Sequence, residues 1–175
     1  MKLDMFARRF LIPSSLVSLI CYLKYRALVS PRAEVELSPL LHLSRGVNIG
    51  SFTKIKAAVG LLKIGVEVRI GSNCFIAAQQ GGIEIGDYSM IGPNSTILSN
   101  MYKYDRLDIP ILHQGVTSKG TRIGSNVFIG SNCVILDGAH IGSGVIVSSG
   151  SVVSGRIPDN VIIQGNPAKV VFERR

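Results

Sequence analysis

The 175-residue chain has no tryptophan, and aromatic residues make up only 6% of it. A core without large rings has to be narrow and filled by aliphatic side chains. Cysteine is equally scarce: Cys21, Cys74 and Cys133 are an odd number, which argues against a disulfide framework and for small buried thiols in a reducing compartment. No uninterrupted apolar stretch approaches the ~20 residues a membrane-spanning helix needs. No small-residue cleavage site follows the apolar N-terminal stretch, which argues against a signal peptide. The 19 basic and 11 acidic residues leave a net charge of +8. The basic residues gather at the ends and are not interleaved with aromatics, so nucleic-acid binding is not expected; a phosphorylated cofactor or an anionic membrane accounts for the charge as well. No metal is expected.

What the chain has instead is a period of six. Ile123, Ile129, Ile135, Ile141, Val147 and Val153 are each six residues apart, and Gly124, Gly130 and Gly142 directly follow three of them. Ile64, Ile70 and Ile76 form an earlier run, and Ile85, Ile91 and Ile97 another. Ile49 and Ile55 extend the first run backwards. The segments Gly71-Ser72-Asn73-Cys74 and Gly130-Ser131-Asn132-Cys133 are identical. Apolar positions do not recur at i+3 and i+4, which excludes an amphipathic helix there. An antiparallel barrel has no need of one constant period through separated runs. The spacing predicts short strands joined by turns, three hexads to a triangular coil of roughly eighteen residues, with coils stacked at ~4.8 Å: a parallel β-helix. The aliphatic of each hexad points inward. Cys74, Cys133 and Ser149 are small enough for the tight corners, and the glycines and Ser-Asn pairs are assigned to turns, where Gly supplies positive φ and Asn tolerates it. The phase slips between Ile76 and Ile85, implying a small insertion near Gln79–Gly82, and breaks for longer between Ile97 and Ile123.

The ends differ. Ser14 or Ser15 is placed to cap a helix from Leu16 to about Ala27, with a broad apolar face and Lys2, Arg8, Arg9, Lys24 and Arg26 on its flanks. We expect it to cover the open end of the first coil; a further reading adds contact of the basic flanks with an anionic membrane surface. The segment from Ile157 to Val171 leaves the hexad rhythm and is punctuated by Pro158 and Pro167. The expected organisation is an N-terminal helical segment over residues 1–30, a β-helix domain over 31–172 with a loop inserted at 98–122, and a basic tail at 173–175.

The hexads, together with Ile123-Gly124-Ser125-Asn126-Val127-Phe128-Ile129-Gly130 and Gly165-Asn166-Pro167-Ala168-Lys169, resemble the hexapeptide-repeat acyltransferases, and within them the xenobiotic, maltose and capsular-polysaccharide O-acetyltransferase group. The resemblance implies an all-β, left-handed parallel β-helix with an N-terminal α-helix and a protruding loop. It further implies a homotrimer with acetyl-CoA in the grooves between neighbouring prisms, a saccharide acceptor in surface-polysaccharide biosynthesis, and a cytoplasmic location, with a peripheral position at the inner face of the membrane as the finer alternative.

In that family the protruding loop carries a histidine, the general base for an acceptor hydroxyl that is otherwise a poor nucleophile. Here Ser99-Asn100-Met101-Tyr102 occupies the place, and none of these is an efficient base. His113, in the same loop, is the candidate replacement. His140 precedes the inward Ile141 and should point outward, and His42 reads as structural. The resemblance assigns the pantetheine arm of the cofactor to Ser131, Ser149 and Ser154 and a phosphate to Lys169, with Arg156 assisting. The asparagine the group often carries is missing near Ala77, where Gln79 or Gln80 substitutes. The alternative is a non-catalytic, acetyltransferase-like trimeric scaffold subunit.

Overall fold

The computed structural model describes residues 13–175. Lys2, Arg8 and Arg9 of the expected basic flank lie outside the described residues. Helix α1 spans Ser14–Tyr25 and starts two residues earlier than expected. Pro13 is its N-cap, with no side-chain cap, so neither Ser14 nor Ser15 caps it. Ser14 is inside the first turn, and its carbonyl accepts from the Ser18 hydroxyl at 3.0 Å. Val17 and Cys21 are buried, and the Tyr25 hydroxyl donates to the Leu41 carbonyl at 3.2 Å, pinning the helix over the first coil.

From Leu28 onward the chain winds through six stacked coils of a left-handed parallel β-helix. Each coil contributes one strand to each of three parallel sheets. Inward rows run Val29, Ile49, Ile70, Ile91, Ile129, Val147, Ile163 on the first face, Val35, Ile55, Ile76, Ile97, Ile135, Val153 on the second, and Leu43, Ile64, Ile85, Ile123, Ile141, Ile157 on the third; all are buried. This is the aliphatic column that the hexads predict. At the corner entering the second face a row of small residues is also buried: Ala33, Thr53, Cys74, Ser95, Cys133, Ser151. Its hydroxyls complete the hydrogen bonding that tight turns leave open. Ser95 Oγ donates to the Gly130 carbonyl (2.9 Å) and accepts from Cys133 N (3.1 Å).

Ser149 stands at a tight corner, as expected, with its side chain exposed; the buried small residue of its coil is Ser151, two positions before Val153 as Cys133 is two before Ile135. Two expectations are corrected. The glycines after the inward isoleucines do not supply positive φ. Asn73, Asn94, Asn126, Asn132 and Asn160 take the left-handed conformation (φ 54° to 60°), while Gly71 and Gly130 are needed because a Cβ would come within 2.7 Å and 2.6 Å of backbone in the next coil. The coils are not uniformly eighteen residues. Phe128 pairs with Ile146, eighteen apart, but Arg69 pairs with Met90 and Lys63 with Glu84, twenty-one apart. The extra residues sit between the second and third faces, at Ala57–Leu61 in one coil and at Ala78–Gly82 in the next, the latter being the insertion the phase slip implies.

At that same corner the fourth coil puts out its long excursion. Strand Thr96–Leu98 ends the second face, and Thr121–Ile123 resumes the third. Between them Met101–Tyr102 pairs antiparallel with Val116–Thr117, so the loop is a hairpin with a 3-10 turn at Ile111–His113. The chain ends in a second antiparallel pair, Val161–Gly165 with Ala168–Glu173, joined through a cis Asn166–Pro167 peptide; it seals the C-terminal edge of the first sheet.

Candidate functional site

The base of the projecting hairpin is tied down by buried and half-buried polar groups. Ser99 is fully buried, and its hydroxyl accepts from Gln79 N at 2.7 Å. The Ser118 hydroxyl accepts from Gly81 N at 2.7 Å and donates to the Ser99 carbonyl. Thr121 Oγ1 donates to the Leu98 carbonyl at 2.6 Å, closing the gap in the coil. The Asp137 carboxylate, from the coil above, accepts from Lys119 N and Gly120 N at 2.9 Å. Asp137, Ser118 and Thr121 were not picked out from the sequence. Gln79 and Gln80, the substitutes for the missing asparagine, lie one coil below this base.

Farther out the hairpin organises itself. The Gln114 amide nitrogen donates to the Arg106 and Ile109 carbonyls at 2.7 and 3.1 Å, while its oxygen accepts from Arg106 N at 3.1 Å. Arg106 pairs with Asp108 and holds its carboxyl below the usual carboxylate range. Yet Met101, Tyr102, Tyr104, Leu107, Ile111, Leu112 and Val116 are all exposed, Leu107 completely. So large an apolar surface on a loop marks it as something to be covered. His113 is exposed on this hairpin, and its imidazole makes no hydrogen bond among the described residues.

Ser131 and Ser149 stack at the corner between the first and second faces: Ser149 Oγ accepts from Ser131 N at 3.1 Å. A Cβ on Gly130 would lie 2.6 Å from Ser149 N, so this corner stays smooth and peptide groups form much of its surface. Ser154 is exposed on the far side of the second face in the sixth coil, and Lys169 is exposed on the terminal strand opposite Gln164. The fold therefore gathers the four cofactor candidates on the last two coils and the terminal hairpin. His113 stands on the hairpin at the other corner of the second face, and no hydrogen bond joins it to any of the four among the described residues.

From the third coil upward the outward residues of the second face are small or apolar, Phe75, Thr96, Val134 and Val152 in one row and Ala77, Leu98 and Leu136 in the next, whereas the same rows begin with Glu34, Lys54 and Lys56 in the first two coils. The first face carries Asn48 and Arg69 low in its row and Met90, Phe128, Ile146 and Ile162 above them. The third face is ionic. His140 does point outward, between Arg122 and Arg156, and His42, read from the sequence as structural, is exposed in the same row. Cys21, Cys74 and Cys133 are free and buried, and burial pushes each thiol up from its ordinary value. Among the described residues no group of His, Cys, Asp and Glu is arranged to hold a metal ion, and no helix is long and apolar enough to cross a membrane.

Comparison with known proteins follows the same lines. Residues 120–155 match the family described as bacterial transferase hexapeptide (six repeats), and residues 62–99 match the hexapeptide repeat of succinyl-transferase. A probable acetyltransferase of Mycobacterium tuberculosis is 36% identical over 135 residues, covering 77% of this chain and 45% of that protein. The chain spans less than half the length of the curated relatives it matches. Among solved structures, a maltose O-acetyltransferase from Clostridium difficile 630 is 26% identical with a TM-score of 0.59, covering 73% of this chain and 69% of that one. AntD, an N-acyltransferase from Bacillus cereus whose mutant was crystallised with dTDP and coenzyme A, superposes with a TM-score of 0.79 over 90% of this chain and 88% of its own, at 20% identity. With the hexads, the stacked coils, the inserted hairpin and these matches together, the chain belongs to the hexapeptide-repeat acyltransferase family.

Proposed function

We propose that the protein is an acetyl-CoA-dependent O-acetyltransferase acting on a sugar hydroxyl. The observation that carries this reading is the juxtaposition, along one prism, of a smooth Ser131–Ser149 corner, a cationic terminal strand at Lys169 and an apolar hairpin that its own chain leaves uncovered. A pantetheine arm fits a corner with no bulky side chains, where its amides meet backbone groups; the Lys169 ammonium meets a phosphate as a point charge. The uncovered hairpin and the apolar outward rows of the first and second faces support a homotrimer, in which the hairpin of one copy reaches the groove of the next and carries His113 to it. That assembly answers why the His113 imidazole has no hydrogen-bond partner among the described residues.

The acceptor hydroxyl oxygen attacks the thioester carbonyl carbon while the His113 imidazole takes its proton; the carbon–sulfur bond then breaks and CoA leaves as a thiolate, which takes the proton back. Bringing the two substrates together supplies much of the rate, and loss of the base costs ~10²–10⁴ in rate. The finer assignment, to surface-polysaccharide assembly at the inner face of a membrane, is supported by α1. Leu16, Leu19, Tyr22 and Leu23 are exposed on it, and Lys24 and Arg26 follow, in a chain segment with no acidic residue between Asp4 and Glu34. The test is CoA release with a panel of sugar acceptors; no turnover across the panel refutes the proposal. His113→Ala should lower kcat by at least ~10² with little change in the KM for acetyl-CoA.

One observation favours a second reading. Met101 and Tyr102, in the place of the family's histidine, are exposed strand residues with no proton-accepting group suited to neutral pH. The chain then serves as a non-catalytic scaffold subunit that keeps the prism. A large gain of activity in Met101→His or Tyr102→His favours a lost base over either alternative.

A further inference from the structure

The third face carries a groove whose lining includes none of the residues proposed for acyl transfer. Its wall is the outward row His42, Lys63, Glu84, Arg122, one residue per coil and in register, continuing into His140 and Arg156. Its floor is the neighbouring row Gly65, Gly86 and Gly124; the groove is open to solvent and its volume is about 490 Å³. The depth is a consequence of coil stacking. A Cβ would lie 2.4 Å from the Asp87 carboxylate at Gly65, 2.6 Å from the Gly124 carbonyl carbon at Gly86 and 2.6 Å from Ser143 N at Gly124. The floor row therefore cannot carry side chains, while the wall row carries long ones.

The groove runs parallel to the prism axis from the first coil to the fifth, about four strand spacings or ~19 Å. That is too long for a lone anion, and its volume lies in the range of small-ligand sites. Lys63 pairs with Glu84 at 3.6 Å, while Arg122 has no ion-pair partner among the described residues, and neither has Arg156, two strands along the same row. A bound anion supplies Arg122 with the partner it lacks. Glu84 in the middle of the row is an acceptor for hydroxyl groups, and the Lys63, Arg122 and imidazole groups are donors. Among the described residues no aromatic ring lines the groove to stack a nucleobase, and the isoleucines that line it, Ile64, Ile85, Ile123 and Ile141, are buried inward residues.

We propose that this groove is a binding track for an acidic oligosaccharide, an extended chain bearing hydroxyls and carboxylates. It is distinct from the Ser131, Ser149, Ser154, Lys169 and His113 positions, and a chain inactive in acyl transfer would retain it. The test is isothermal titration of the full-length protein with a linear tetramer of galacturonic acid, with maltotetraose and with inorganic phosphate. The acidic tetramer should bind saturably, with affinity falling as salt rises, and the other two should bind at least ~10-fold more weakly. Arg122→Gln and Lys63→Gln should each weaken the tetramer roughly 10-fold, the loss expected for one charge-assisted hydrogen bond. Lys103→Gln, which removes an exposed cation from the distant hairpin, should leave it unchanged. Arg122 is exposed, so its variant should keep the wild-type melting profile. No saturable binding of the tetramer, equal binding of maltotetraose or phosphate, or full affinity in Arg122→Gln would each overturn the proposal. CoA release assayed on the same variants separates this outcome from the fate of the transfer reaction.

Discussion

One turn offers two substitutions of opposite sign. Gly86 and Tyr88 share the corner between the third face of the third coil and the first face of the fourth. At Gly86 an added Cβ would sit 2.6 Å from both the Gly124 carbonyl carbon and Ser125 N, and ordinary contact begins near 3.4 Å. Both atoms are backbone, so the coils must part by roughly 0.8 Å, which pulls the Gly86 N to Ile123 O bond well beyond its present 2.8 Å. Overpacking of this kind costs about 1–3 kcal/mol, and a lost backbone hydrogen bond adds about 1 kcal/mol. The reduced freedom of the unfolded chain returns only about 0.4–1 kcal/mol. Gly86→Ala should therefore destabilise by about 2–3 kcal/mol. Tyr88 holds φ 59° with its side chain exposed, at a position that is asparagine in other turns. A non-glycine residue in that region costs about 1–2 kcal/mol, and asparagine relieves part of it. Tyr88→Asn should stabilise by about 0.5–1 kcal/mol. Urea unfolding followed by circular dichroism measures both. A stabilised Gly86→Ala, or a Tyr88→Asn that loses more than about 0.5 kcal/mol, refutes the account of which residues the corners require.

Ile135→Ala, at a fully buried position in the fifth coil, should cost about 2–5 kcal/mol, while Val152→Ala on the outward row of the same face should cost under about 1 kcal/mol, both read from denaturant midpoints. The three thiols should resist alkylation in the native protein and react fully in guanidinium. Because burial raises the thiol pKa above the ordinary 9.0, the stability this contributes is complete below the unfolded value and is lost as pH rises through the folded one. The urea midpoint should accordingly fall above about pH 9, and a Cys74→Ala, Cys133→Ala variant should fall less; identical declines would remove the thiols from the explanation.

Much of the fold was legible because an inward aliphatic every six residues has few physical solutions, and the ladder from Ile123 to Val153 is one of them. What stayed hidden depends on distances between coils. Glycine after isoleucine reads equally as a positive-φ turn or as a close approach, and only the spacing of Gly130 to Ser149 decides. Ser149 and Ser151 differ by two residues, and what separates them is the offset: Ser151 stands two before Val153 as Cys133 stands two before Ile135. The candidate site was legible only as separate pieces, since the proposed site brings His113 and Lys169 together from different copies of the chain. The phase slip after Ile76 and the longer break after Ile97 fall at the same corner, between the second and third faces. Ser99-Asn100 followed by Ser118-Lys119-Gly120 occupies the place that Ala78-Gln79-Gln80-Gly81-Gly82 fills one coil below. Met101 and Thr117 are register partners across the hairpin, so removing 101–117 leaves ends already close enough to join. The base bonds from Ser99, Ser118, Thr121 and Asp137 all survive the excision. Shortening a loop changes closure entropy by only ~1 kcal/mol. The excised protein should thus unfold cooperatively within a few degrees of the full chain while losing acyl transfer and the exposed apolar surface, as read by calorimetry, CoA release and dye binding. Loss of cooperative unfolding would mean that the hairpin holds the prism together, and the separation of scaffold from site at that corner would be wrong.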